Sequence, residues 1–241
     1  MLKLAIGAGH GINTPGKRVP KELDNNQTRE WVLNDRVVRF TIAFLKHYNV
    51  DILRTDDPTG KVDVDLRTRA NKANNWKADL YLSIHHNAGI NLGKGGGTSV
   101  HLFPGSKKTP KALARSLYDE VIKQTGLIGN RASPVSENNF QILRQTNMTA
   151  LLLENGFMDS GTDYPIIMSE EHARRTAVGI VNFLIKNYKI KKKDNSTDLL
   201  YRVIVDGKQV GAYAVLANIN NQIDKAYKDR ADKVVIEKVR G

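Results

Sequence analysis

The chain has 241 residues, of which 40% are hydrophobic, and it carries a formal net charge of +12 and no cysteine. This length suits one full domain with a smaller module, and the hydrophobic content is sufficient for a buried core. The absence of cysteine excludes a disulfide framework and any thiolate metal site, so a metal ion would need histidine and carboxylate ligands.

The first part of the chain alternates strand and helix patterns. Leu33, Val37, Phe40 and Phe44 recur at spacings of three and four residues, which predicts a helix with one apolar stripe. Glycine, proline and asparagine residues predict the loop before it. In chain order, the predicted elements are a strand over 2–6, a loop over 11–25, a helix over 26–47, a strand over 49–55, a helix over 65–77 and a strand over 78–85.

The same alternation continues to residue 188. The predicted elements are a strand over 97–103, a helix over 109–126, a strand over 149–156 and a helix over 170–188. Thr109 is the expected N-cap of the first helix, with Pro110 at its first position and Gly126 as its stop. Ser169 is the expected N-cap of the second, and His172 in its first turn is expected at the surface. These patterns predict an α/β domain with a mostly parallel central sheet flanked by helices on both faces.

A change of composition predicts where this domain ends. We place the larger domain at 1–188, a charged linker at 189–198 and a small C-terminal module at 199–241. The module shows two β-rich runs around Asp206-Gly207, a helical run and a final strand, which predicts a ββαβ order. A domain of about forty residues lies near the lower limit for folding without disulfides or metal ions.

Three polar side chains stand where apolar strands end. His10 follows the first strand, His85 follows DLYLSI and Glu154 follows TALLL. Ligand-binding sites in open parallel sheets form beyond the carboxyl ends of the strands. Two histidines and one carboxylate are a common set of protein ligands for a catalytic zinc ion. The alternative is that each histidine is a hydrogen-bonded structural group. His86 and His85 should point to opposite faces of the strand, and the sequence does not say which one faces the site.

The segments around these residues resemble a known family. GAGHG, SIHHNA and LLLENGFMD are similar to the three signature segments of the zinc-dependent N-acetylmuramoyl-L-alanine amidases, which include bacterial autolysins and phage endolysins. The stretch DLRTRANKANNWKADLYLSIH also resembles that family, in its Leu66, Arg69 and Asn74. The resemblance covers residues 3–185.

The resemblance implies Zn²⁺ as cofactor, with His10, Glu30 and His85 as ligands and Glu154 as the catalytic residue. Glu22, in the loop before the helix, is the competing carboxylate ligand. A ligand on a helix is held more rigidly than one on a loop, which favours Glu30.

Two residues depart from the family pattern near this proposed ligand. Trp31 stands where the family usually has lysine, and Arg54-Thr55 reverses the usual order of a Thr-Arg pair.

The implied reaction is hydrolysis of the amide bond between N-acetylmuramic acid and L-alanine in peptidoglycan. Asn87 would orient the substrate, or it is a turn residue. The alternatives are a zinc peptidase that cuts within the stem peptide and a non-catalytic basic protein that binds cell wall or nucleic acid. Only 7% of the residues are aromatic, which weighs against nucleic acid as the partner.

Charge and hydropathy suggest partners and a location. The net charge of +12 predicts that the protein is attracted to anionic wall polymers. We expect the C-terminal module to contribute to this attraction. No apolar segment has the roughly 20 residues of a membrane span, and we recognise no secretory signal. We therefore expect synthesis in the host cytoplasm and action on the cell wall after lysis, as for a phage endolysin, with a mother-cell autolysin as the alternative setting.

The start of the C-terminal module, YRVIVDGKQVGAY, loosely resembles the SPOR-type peptidoglycan-binding repeat. This resemblance implies that the module holds the enzyme on its polymer. A role in dimerisation or stability is the alternative.

Overall fold

The computed structural model describes residues 1–193, 200–213 and 216–239. They fall into two compact units, Met1–Lys192 and Lys193–Gly241. The predicted linker over 189–198 is described as far as residue 193, and its remaining residues lie outside the described part of the chain.

The first unit contains a six-stranded sheet. Its strands are β1 (Leu2–Ala8), β2 (Val50–Arg54), β3 (Leu80–Asn87), β4 (Thr98–Leu102), β5 (Val135–Glu137) and β6 (Thr149–Phe157). The spatial order is β2-β1-β3-β6-β4-β5, and all neighbouring strands are parallel except β4 and β6. The prediction of a mostly parallel sheet is therefore confirmed.

Helices cover both faces of this sheet, as predicted. They are α1 (Glu30–Leu45), α2 (Leu66–Asn75), α3 (Lys111–Thr125), α4 (Gln141–Gln145), α5 (Tyr164–Ile167) and α6 (Glu170–Tyr188). Leu80, Leu82 and Ile84 of β3 belong to one buried cluster, with residues of α1, α3 and α6. Tyr81 of the same strand belongs to a second cluster, with residues of α2 and α4. The alternation of side chains along a strand thus assigns the two sets of helices to opposite faces.

The predicted helix boundaries were partly correct. Gly126 ends α3 with a left-handed φ of 71°, and the Ser169 side chain accepts the backbone N–H of His172, as expected of these caps. The N-cap of α3 is Pro110 rather than Thr109, whose hydroxyl instead accepts the N–H of Ala150 at 3.1 Å.

The prediction of a surface position for His172 was wrong. Its side chain is buried, because α6 packs against both α1 and α3. Burial lowers the pKa of His172 to about 4, so the imidazole is neutral at pH 7.

The sequence patterns missed three short elements, which are β5, α4 and α5. They have three to five residues each, too few to show a helical or strand period. The first long helix begins at Glu30, four residues after its predicted start at Asn26.

The second unit has the predicted ββαβ order. It consists of β7 (Leu200–Val205), β8 (Lys208–Tyr213), α7 (Leu216–Lys228) and β9 (Val234–Val239), with the antiparallel strand order β8-β7-β9. Asp206 and Gly207 form the predicted hairpin turn, with φ values of 48° and 79°. Over the ranges that the structure describes, no helix of either unit is long and apolar enough to cross a membrane.

Candidate metal centre and active site

Three predicted ligands meet at one edge of the six-stranded sheet. His10 follows β1, Glu30 opens α1 and His85 lies near the end of β3. One potential ligand atom from each lies within 4.8 Å of the others. His10 Nε2 is 3.4 Å from Glu30 Oε2, and His85 Nδ1 is 3.0 Å from Glu30 Oε1. Segments far apart in the chain thus place two imidazoles and one carboxylate around a common point.

The structure distinguishes the two candidate carboxylates. The Glu30 side chain is 1% exposed and faces both histidines. Glu22 is an exposed residue of the loop before α1, and it is not part of the ligand cluster. The geometry therefore favours Glu30 over Glu22.

The cluster fits a divalent cation. Zinc bonds of about 2.0–2.1 Å in tetrahedral geometry place ligand atoms roughly 3.3 Å apart, close to the observed 3.4 Å between His10 Nε2 and Glu30 Oε2. Glu30 Oε2 is buried and has no hydrogen-bond partner in the part of the chain that the structure describes. A buried carboxylate oxygen without a hydrogen bond is costly unless a cation compensates it. The donor set of two nitrogens and one oxygen suits zinc and similar ions.

The electrostatics of the cluster favour an ionised Glu30. Burial acts to raise its pKa, but the hydrogen bond from His85 and the nearby positive charges lower the pKa to about 2. Burial lowers the pKa of His10 to about 4, which favours the neutral imidazole that a metal ion requires. Burial also opposes protonation of His85, but contact with Glu30 outweighs it and raises the pKa of His85.

Asn34 connects the Glu30 carboxylate to its surroundings. Its Nδ2 donates to Glu30 Oε1 at 3.2 Å and to the carbonyl of Gly9 at 3.1 Å, and its Oδ1 lies 2.7 Å from His86 Nδ1. His86 is therefore buried beneath α1, while His85 faces the ligand cluster. Burial lowers the pKa of His86 to about 3, so it is a neutral structural group.

Arg69 holds the loop that carries His10. The His10 backbone has a φ of 64°, which is uncommon for a residue other than glycine. The buried Arg69 guanidinium donates to the carbonyls of Ala8, His10 and Val64, with the last two at 2.9 and 2.6 Å. These hydrogen bonds stabilise the unusual backbone conformation of the ligand loop.

Glu154 lies beside His85. The two residues are paired across parallel strands β3 and β6, so their side chains share one face of the sheet. Glu154 Oε2 is buried without a hydrogen-bond partner from any described residue. Burial raises the pKa of Glu154 to about 7, even though His85 acts in the opposite direction. The carboxyl group is therefore suited to gaining and losing a proton near neutral pH.

A cavity of about 380 Å³ opens next to the cluster. Its lining includes His10, His85 and Ser83, together with Asp63 and Asp65 of the loop before α2. A ligand in this cavity would contact both histidines.

Asn87 is the last residue of β3 and is paired with Phe157 of β6, so the alternative of a turn residue is not what the structure shows. Its Oδ1 accepts the N–H of Ala88 at 2.8 Å, and its carbonyl accepts the N–H of Met158 at 2.8 Å. Its predicted contact with substrate stays a prediction.

The two departures from the family pattern share a partner. Trp31 Nε1 donates to Asp56 at 3.4 Å, and the Arg54 guanidinium donates to Asp56 and Asp35 at 2.7 Å each. They form a polar network beside α1 and contribute no atom to the ligand cluster.

Lys17 has no predicted role, although its Nζ lies 3.7 Å from Glu30 Oε2. Lys17 lies in a glycine- and proline-rich loop without periodicity, where no sequence signal indicates a contact with Glu30.

Comparison with known proteins gives concordant results over most of the chain. The family model described as N-acetylmuramoyl-L-alanine amidase matches residues 4–186. A sporulation-specific N-acetylmuramoyl-L-alanine amidase of Bacillus subtilis strain 168 is 31% identical over 240 residues, which are 99% of this chain and 86% of the relative. The N-acetylmuramoyl-L-alanine amidase CwlM of Bacillus licheniformis is 30% identical over 238 residues, covering 98% of this chain and 85% of the relative.

Solved structures show the same similarity. The crystal structure of an N-acetylmuramoyl-L-alanine amidase from Clostridium difficile 630 superposes with a TM-score of 0.69 and 26% identity. The match covers 78% of this chain and 97% of that one.

Proposed function

Because the chain belongs to the N-acetylmuramoyl-L-alanine amidase family, we propose that His10, Glu30 and His85 bind a zinc ion and that Glu154 is the acid–base catalyst. The protein is accordingly a hydrolase of the amide bond between N-acetylmuramic acid and L-alanine, and peptidoglycan is its substrate. The observation that carries the proposal for the site is the convergence of three ligand atoms within 4.8 Å, next to the buried carboxyl group of Glu154.

The chemistry requires activation of water and of the amide carbonyl. Zinc in a site of this kind lowers the pKa of water and polarises a carbonyl oxygen. Glu154 accepts the proton of the attacking water and delivers it to the leaving nitrogen of L-alanine. Burial raises the pKa of Glu154, which favours its taking up a proton in the first of these roles.

Replacement of Glu154 tests the catalytic assignment. We expect Glu154→Gln to retain bound zinc and to lower kcat by roughly 10²–10⁴-fold, because it removes proton transfer without removing a ligand. The measurements are the zinc content of the purified protein and the release of new L-alanine amino groups from cell walls. Loss of the metal from this variant would instead identify Glu154 as a ligand.

Glu30→Ala and Glu22→Ala form a matched pair for the ligand assignment. We expect Glu30→Ala to lose zinc, because its carboxylate lies against both histidines, and Glu22→Ala to retain it. The reverse result would identify the loop residue as the ligand.

The same assay distinguishes the alternative functions. A zinc peptidase would produce new amino termini on stem residues other than L-alanine. A non-catalytic wall-binding protein would bind walls with or without a chelator and release no amino groups.

We further propose that the C-terminal unit increases residence on the wall. A tethered module raises the local concentration of an enzyme at its polymer, and the basic charge of the chain favours anionic wall polymers. The relatives in the two Bacillus species match almost the whole chain, so the similarity extends beyond the catalytic unit.

The biological setting is also a proposal. We infer action on the wall after release from the cytoplasm by lysis, either as a phage endolysin or as a mother-cell autolysin. The name of the Bacillus subtilis relative, a sporulation-specific amidase, supports the autolysin setting. Immunodetection in sporulating cultures and in prophage-induced lysates of the source organism would distinguish the two settings.

A further inference from the structure

Lys17 brings an ammonium group to the edge of the proposed metal centre. Its Nζ lies 3.7 Å from Glu30 Oε2, the same oxygen that lies 3.4 Å from His10 Nε2. The ammonium therefore lies beside the Glu30 carboxylate, at the edge of the cluster.

The backbone around Lys17 is fixed to the start of α1. The Lys17 carbonyl accepts the N–H of Glu30 at 3.1 Å, and the N–H of Val19 donates to the Thr28 carbonyl at 2.9 Å. Between these two hydrogen bonds, the residues at positions 18 and 29 form an antiparallel bridge. The loop thus holds Lys17 next to Glu30 through main-chain hydrogen bonds, and only the side chain is free to move.

The exposure of the two partners differs sharply. The Glu30 side chain is 1% exposed, whereas that of Lys17 is 45% exposed. The Lys17 side chain therefore reaches the buried Glu30 carboxylate from the solvent side.

A cation at this place has a specific use in amide hydrolysis. The water oxygen bonds to the carbonyl carbon, the C–N bond breaks, and one proton of the water passes through Glu154 to the nitrogen. The products are a carboxylic acid and an amine, and the proton of the acid then passes to the amine to give a carboxylate and an ammonium group. Negative charge develops on the carbonyl oxygen during the attack. Positive groups fixed near that oxygen lower the barrier, and removal of one such group typically costs about 10²–10³-fold in kcat.

We propose that Lys17 is a catalytic residue whose ammonium stabilises the negative charge on the carbonyl oxygen of the scissile amide. This proposal rests on the amidase function proposed above. Lys17 forms and breaks no bond in the reaction. A divalent ion bound to Glu30 would repel the ammonium from that carboxylate, and the half-exposed side chain can turn toward the entering substrate.

The test compares Lys17→Met and Lys17→Arg with Lys21→Met, an exposed lysine of the same loop. The readouts are kcat and KM on a soluble muramoyl peptide, zinc affinity by competition with a chromogenic chelator, and far-UV circular dichroism. We expect Lys17→Met to lower kcat about 10²-fold with KM changed less than threefold. Zinc affinity should stay the same or increase, because a competing cation has been removed. Lys17→Arg should recover part of kcat, and Lys21→Met should match the unmodified protein.

Three results would overturn the role of Lys17. An unchanged kcat in Lys17→Met would mean that the ammonium only neutralises Glu30 in the absence of a metal ion. A tenfold weaker zinc affinity would mean that Lys17 organises the ligands. A rise in KM with constant kcat would mean that it binds a substrate anion away from the reacting carbonyl. Failure of the unmodified protein and of Lys21→Met to release L-alanine amino groups would instead contradict the amidase function itself.

Discussion

Gly9 shows how one residue without a side chain fixes the geometry of the site. It lies between β1 and His10, and a Cβ atom built on it would lie 2.1 Å from the His85 ring. No side chain fits in that space. The imidazole of His85 therefore packs directly on the backbone of Gly9, which brings it close to His10.

We predict that Gly9→Ala weakens zinc binding by roughly 10–100-fold, the range seen when groups that orient metal ligands are altered. The added methyl group must displace the His85 ring, because the nearest atoms belong to that ring. Chelator competition measures the affinity. Gly161→Ala is the matched control, since its added Cβ meets only ordinary contacts at 3.6 Å. Equal affinities of the two variants would contradict the proposed packing constraint.

The residues of the site differ in how far the sequence reveals them. His10, His85 and Glu154 follow apolar runs, and a polar residue at the end of a buried strand is visible in the sequence alone. Glu30 was identified through the family resemblance. The choice between His85 and His86 required the structure, because it depends on which face of β3 packs beneath α1. The contact of Lys17 depends on the path of a loop, for which the sequence carries no periodic signal.

Among the elements, α3 and α6 approach each other closely at Gly179. A Cβ atom there would lie 2.6 Å from Val121 Cα and 2.8 Å from the Glu120 carbonyl oxygen. Both are backbone atoms, which cannot turn aside as a side chain does. Glycine in the middle of a helix is otherwise unfavourable, so this position is explained by the close contact of the two helices.

We predict that Gly179→Ala destabilises the protein, although alanine has the higher helix propensity. Overpacking of a tight contact typically costs about 1–3 kcal/mol, which exceeds the roughly 1 kcal/mol that alanine gains in a helix. Urea unfolding followed by circular dichroism measures the change. Gly161→Ala again serves as the control, and a stabilised Gly179→Ala variant would show that the two helices can separate at little cost.

The long elements were predictable, whereas the short ones were not. The apolar stripe of α1 and the runs of β1, β3 and β6 give clear periods or continuous hydrophobic segments. β5 and α4 depend on their packing against the rest of the unit, since Val135, Ile142 and Leu143 are buried. Their structure follows from tertiary contacts that a local sequence pattern does not contain.

At the scale of the whole molecule, the chain consists of two compact units. The unit Met1–Lys192 contains the six-stranded sheet, its buried clusters and every proposed ligand and catalytic residue. The second unit has its own antiparallel sheet, with Val203, Ile219 and Ala226 buried.

We predict that a chain ending at Lys192 hydrolyses a soluble muramoyl peptide within about twofold of the full-length rate, because the first unit contains the complete site. Its binding to purified cell walls should fall by at least about tenfold, because the proposed wall-binding module is lost. Sedimentation with walls measures the binding. Unchanged binding of the shortened chain would assign the second unit to dimerisation or stability instead.

The origin of the three ligands has a consequence for folding. His10 and His85 are separated by 75 positions, and the chain has no disulfide to connect such distant segments. An ion held between them would act as a reversible cross-link that the unfolded chain lacks. At a free concentration 1,000 times its Kd, it would add about 4 kcal/mol to the free energy of unfolding. Chelation should therefore lower the melting temperature by on the order of 10 °C. The availability of the metal ion would then control the resistance of the protein to proteolysis as well as its catalytic rate.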